Sequence, residues 1–155
     1  MNRGISFEIP TKKYSGKSLA DILHPIPCDI YKWHIGYEEI HIDGNAGSCE
    51  PFFGDNETID GNELKRLVNG ETYLAIFAEL KAFPKNAIVS EIATYNDFVS
   101  SECEIIVLMY DCYYIEIYCK DTKLIENICD YVKQQGYTDI EYKDENDPRT
   151  GMYVW

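Results

Sequence analysis

Six residues on two segments have the types and spacing to make a recognition surface. They are Tyr73, Phe77 and Glu79 in the run Thr72–Ala82, and Tyr114, Glu116 and Tyr118 in the run Cys112–Cys119. Alternate side chains of an extended strand share a face. Tyr114, Glu116 and Tyr118 therefore stand together with Cys112, and Tyr73, Ala75, Phe77, Glu79 and Lys81 form one face of their own strand. If both strands lie in one sheet, aromatic rings surround carboxylates, which suits a cationic ligand or a basic protein partner. The same carboxylates, Glu79 and Glu116, and Asp111 between the two C-terminal runs, would serve as general bases in a small enzyme acting on a cationic or polar metabolite. A helix laid over this face would bury it instead.

Other chemistry is less well supplied. Gly16-Lys17-Ser18 follows a strand pattern and precedes a helix, as a phosphate-binding loop would, but Thr11 stands where that loop needs its first glycine. Lys17 is thus a poor phosphate ligand. The histidines His24, His34 and His41 fall in no metal-binding spacing, and there is no Cys-x-x-Cys. On one regular strand His34 and His41 point to opposite faces. Asp144, Glu145 and Asp147 lack the glycine of a calcium loop and read as a solvated turn. Cys112 is expected on the outward face of its strand beside Asp111, with no basic group to favour its thiolate. No catalytic constellation, metal or cofactor is expected.

The net charge of -13 repels nucleic acid and anionic membrane surfaces and attracts basic partners. Thirteen tyrosines against six phenylalanines suit half-wet sheet faces and binding surfaces. Six cysteines without an apolar leader or a spanning segment fit reduced thiols in the cytoplasm. At 155 residues the chain reads as one domain, 1–155.

The elements that must hold the six residues are legible in the pattern. Gly4–Ile9 alternates as a strand, and a short helix follows with Ser18 as its N-cap. Asp29–Asp43 reads as a long strand or hairpin with a bulge or bend at Gly36. Gly44–Asp55 is a loop with Phe52 and Phe53 plugging the core. Asp60 caps a helix, Glu63 completes a capping box and Gly70 closes it. Thr94 and Asp97 cap a brief helix. Cys103–Tyr110 is apolar on both parities, hence a central strand. Asp121 caps a helix reaching Gln135, with Leu124, Ile125, Ile128, Cys129 and Val132 on its buried stripe. Thr138–Tyr142 is a strand, and Met152–Trp155 could pair as another. The tetrapeptide at Ile42–Asn45 recurs at Ile59–Asn62, followed by unrelated sequence, so it is no repeat. Hairpins mixed with helices argue for an α+β fold: a mainly antiparallel sheet of five to seven strands with three to four helices, mostly on one face.

Several segments also carry a resemblance: Arg3–Pro10, Ile59–Leu64, Phe77–Pro84, Tyr118–Asp121, Asp144–Asp147, then Arg149, Thr150 and Trp155. Over nearly its full length the chain resembles an uncharacterised family of single-domain proteins of Bacillus-type bacteria. That resemblance implies a small cytosolic bacterial protein and supplies no functional residues. The residues themselves point to a non-enzymatic acidic binding protein, such as a regulator, inhibitor or immunity-type factor.

Overall fold

The structure, a computed structural model, describes residues 3–42, 50–147 and 151–154. Cys49, the loop ahead of Glu50, the continuation of the first tetrapeptide beyond Ile42, and Trp155 lie outside the described residues. Seven strands form one antiparallel sheet: Gly4–Glu8 (β1), Tyr31–Ile42 (β2), Thr58–Asp60 (β3), Tyr73–Pro84 (β4), Ile105–Tyr110 (β5), Tyr114–Cys119 (β6) and Thr138–Lys143 (β7). Their order across the sheet is β3-β2-β4-β5-β6-β1-β7. Four helices complete the described chain: Ser18–Leu23 (α1), Gly61–Val68 (α2), Tyr95–Ser100 (α3) and Thr122–Gln134 (α4). The fold is α+β, as expected. None of the described helices is long and apolar enough to cross a membrane.

The sheet has two covered faces. On the first, α1, α2 and α4 bury Leu19, Leu64 and Ile128 against Phe7, Trp33, Leu80, Val107 and Ile117. The stripe of α4 is the five residues expected, and Asp121 accepts the N–H groups of Lys123 and Leu124. Phe52 and Phe53 do plug this core, stacked edge to face at 4.9 Å. On the second face, only α3 and irregular chain bury Phe83, Phe98, Ile106, Leu108 and Tyr118, together with Met152 and Val154. The central strand β5 feeds both cores, which is why its sequence shows no alternation.

Local differences from expectation have identifiable causes. Ser18 is the first residue of α1, and Lys17 takes the cap position without a side-chain bond. Asp60 caps α2 through the Asn62 N–H alone, because Glu63 turns to Arg66 at 2.5 Å. The capping box is made instead at Thr94 and Asp97. Asp111 and Cys112 both take left-handed backbone, with φ of 51° and 73°, making the tight β5–β6 turn. Cys112 thus stands in a turn and not on the strand's outward face. Of the C-terminal residues, Gly151 makes a bridge to Thr94, and Met152 and Val154 serve as core plugs.

Candidate functional site

Two irregularities in the β2–β4 ladder decide which side chains meet. Ile35 pairs with Leu80, and the next pair is Glu38 with Ala78, so Gly36 and Tyr37 together oppose Glu79. Two residues against one is a bulge. A second shift follows, from Glu39–Phe77 to Ile40–Ala75, leaving Ile76 as the extra residue of β4. Each shift reverses the inside–outside alternation of its strand. Phe77, Glu79 and Lys81 consequently face the second side of the sheet, while Tyr73 and Ala75 face the first.

Tyr73 therefore does not belong to the surface expected of it. It is buried among the helices, donating from its hydroxyl to Val68 O at 2.9 Å and accepting from Ala20 N at 3.2 Å. Burial pushes its phenol up to about 12. The bulge at Gly36 and Tyr37 brings His41 onto the face of His34, with Ile40 and Ile42 turned to the helices.

The other five predicted residues do share the second face, in two groups. Ile106 and Leu108, which pair with Lys81 and Glu79 on one side and with Tyr118 and Glu116 on the other, form an apolar ridge between them. Phe77 and Tyr114 lie towards the β5–β6 turn, half-buried, Phe77 against Tyr37 at 6.0 Å and Tyr114 against Tyr110 at 5.9 Å.

Glu79 belongs to a cleft of about 750 Å³ over β2, β3 and β4, roofed by residues 89–93 and Tyr153. Its floor is a row across three strands: Thr58, His34 and Lys81 are successive ladder partners. Lys81 is 5 % exposed and donates to Glu79 Oε2 at 3.3 Å and to Ile92 O at 2.9 Å. The second carboxylate oxygen of Glu79 accepts the Val154 N–H at 3.0 Å. Gly36 makes this possible, since a Cβ there would sit 2.1 Å from Glu79 Oε2. His34 Nδ1 is buried and has no hydrogen-bond partner. At the mouth stand Glu57 and Glu91, both exposed and in no ion pair among the described residues.

Across the ridge, Glu116 and Tyr118 are each 2 % exposed, and Tyr118 donates to Glu116 Oε2 at 3.0 Å. Of the two alternatives for the aromatic–carboxylate face, open or covered by a helix, the covered one holds here: α3 closes it, with the Phe98 ring 6.4 Å from that of Tyr118. Burial pushes the Glu116 carboxyl up, against the hydrogen bonds from Tyr118 and Tyr114. Burial also pushes the Tyr118 phenol up, and the neighbouring Glu116 charge adds to it. Beside them Thr94, Asn96, Asp144, Glu145 and Asp147 border a smaller cleft of about 260 Å³. Asp147 pairs with Lys143 at 3.0 Å.

The remaining candidates take structural places. Lys17 Nζ donates to Asn69 O at the end of α2, and Gly16 O accepts the Tyr73 N–H. That loop is committed to the protein's own backbone. Asp111 lies outside the lining of both clefts. No group of three or more metal-ligating side chains occurs among the described residues.

Residues 2–153 match the family described as protein of unknown function (DUF2691). The chain belongs to the DUF2691 family. An uncharacterised protein of Bacillus subtilis (strain 168), YncE, is 36% identical over 155 residues, spanning 99% of this chain and 100% of its own length. No solved structure matches. The residues that line the cleft all fall within the span that matches the family. Sequence reasoning reached Glu79 but missed Lys81, His34, Glu57, Thr58 and Glu91. One signal was available: Lys81 and Glu79 are the two charges of the otherwise apolar stretch Ala78–Phe83, two residues apart on one strand face, and a buried charge needs a partner.

Proposed function

We propose that the protein is a non-enzymatic binding protein of the cytoplasm whose cleft over β2, β3 and β4 receives a small ligand with a cationic group. One observation carries this: three carboxylates, Glu57, Glu79 and Glu91, line a cleft whose single lysine is already neutralised by Glu79. A cation 4 Å from a carboxylate gains about 1 kcal/mol in bulk water and about 4 kcal/mol at an effective dielectric of 20. The net charge of -13 adds a long-range attraction. A volume of about 750 Å³ suits a small molecule, and the enclosure of Glu116 and Tyr118 takes away the face a basic protein would have used.

A small enzyme is less well supported. Glu116 is sealed in the core, and both oxygens of Glu79 are engaged by Lys81 and Val154. Neither is free to take a substrate proton.

Thermal-shift measurements with amines and guanidinium compounds, each beside its neutral alcohol isostere, test the proposal. Cations should raise the midpoint at low salt and alcohols should not. The double variant Glu57→Gln/Glu91→Gln should lose the shift while keeping its own midpoint. Equal responses to amines and alcohols, or none to either, would overturn it.

A further inference from the structure

The cleft has an acidic mouth but not an acidic floor. Glu57 and Glu91 are exposed at the rim, whereas Lys81 at the base is 5 % exposed. An ammonium carries three N–H donors. Two of those on Lys81 are engaged, by Glu79 and by the Ile92 carbonyl, and the third has no partner among the described residues. Directly across the ladder His34 lines the same cleft, and its Nδ1 is buried without a partner. A buried polar group left without a partner is unfavourable. A ligand oxygen at this floor would give both groups an acceptor, the imidazole turning to bring out its buried Nδ1.

A simple amine cannot. At the floor it would meet the Lys81 donors, and Glu79 could accept it only by giving up Lys81 or the Val154 N–H. An anion alone would have to pass Glu57 and Glu91. The mouth of the cleft asks for a cation and its floor for a hydrogen-bond acceptor.

We infer that the ligand is a zwitterion, bound with its carboxylate down. The carboxylate accepts from Lys81 Nζ and from His34 in its Nδ1–H tautomer, and an ammonium or guanidinium remains at the mouth between Glu57 and Glu91. Amino acids with separated charges belong to this class, and monoamines, diamines and fatty acids do not. The assignment rests on the cleft being the ligand site.

Calorimetric titration at low ionic strength with δ-aminovalerate, pentylamine, cadaverine and valerate separates the two levels. δ-Aminovalerate should bind at least tenfold tighter than either amine, which is about 1.4 kcal/mol, and valerate should not bind. His34→Leu, which keeps the Glu79–Lys81 pair, should reduce that preference severalfold without weakening pentylamine. Lys81→Met should abolish it if the variant folds. Amines that bind as well as δ-aminovalerate would overturn the zwitterion and leave the cationic cleft standing. A preference unchanged in His34→Leu and Lys81→Met would overturn it too. No binding by any probe would overturn both.

Discussion

Gly36→Ala should destabilise the protein, although replacing a strand glycine by alanine ordinarily gains about 0.5–1 kcal/mol. The new methyl would lie 2.1 Å from Glu79 Oε2, 2.5 Å from its Cδ and 2.9 Å from its Cγ. No rotation of the carboxylate clears three such contacts, so the side chain must leave its place. It would release the Lys81 ammonium and the Val154 N–H, held at 3.3 and 3.0 Å by side chains only 6% and 12% exposed. A hydrogen bond to a charged group contributes about 1.5–3 kcal/mol. Two at the lower end, less the alanine gain, leave a net loss of about 2 kcal/mol. For a chain of this size each kcal/mol moves the melting midpoint about 2–4 °C, so a fall of about 4–8 °C is expected by calorimetry. In a Glu79→Ala background there is no carboxylate to displace, and Gly36→Ala should cost nothing further. An unchanged or raised midpoint in the single variant would refute the reasoning, as would an equal fall in both backgrounds.

Gly4→Ala should cost about 1–3 kcal/mol by overpacking, because its Cβ would meet the Tyr118 ring at 2.7 and 2.8 Å. Urea unfolding measures it, and an effect below about 0.5 kcal/mol would count against the close approach. Thr94→Ala removes the N-cap of α3 and should cost about 0.5–2 kcal/mol; hydrogen exchange should quicken first at Asp97 and Phe98. Glu116 gives a pH dependence of defined sign. Burial raises its carboxyl above the ordinary 4.5, so the folded protein holds this proton more tightly than the unfolded chain. Its contribution is fully present below the unfolded value and is lost as pH rises through the folded one. Glu116→Gln, which cannot ionise, should gain stability relative to the native protein as pH rises above the ordinary 4.5. A difference that stays constant with pH would contradict it.

Much of the fold was legible because single elements announced themselves. The five-residue stripe of α4, the doubly apolar run of β5 and the Phe52–Phe53 plug each follow from one local pattern, and all three sit where that pattern puts them. Tyr73 was misplaced for a different reason. Strict alternation from Thr72 to Ala82 assigns it to the face of Glu79, and a single extra residue near Ile76 reverses that assignment. Gly36 marked the matching irregularity on β2, but a glycine alone does not say which way parity resets. The cleft was less legible still. Its floor joins Thr58, His34 and Lys81 from three strands, and that row exists only once strand order is known.

The location of the cleft follows from how little covers the second face. Seven strands about 4.8 Å apart place roughly 29 Å between the edge strands β3 and β7. The one helix on that side has six residues, about 9 Å at 1.5 Å per residue. It covers the middle, where Phe98 meets Ile106, Leu108 and Tyr118, and cannot reach either edge. The flanks are left to irregular chain, which brings backbone carbonyls and N–H groups along with apolar side chains such as Ile92 and Val154. Polar side chains are therefore needed beneath it, and Lys81 and Glu79 meet Ile92 O and Val154 N there. On the first side three helices share the sheet, and no such need arises. A longer α3 would seal the second face and remove the cleft, so the shortness of this helix is what keeps a polar, ligand-sized space in an otherwise closed sandwich.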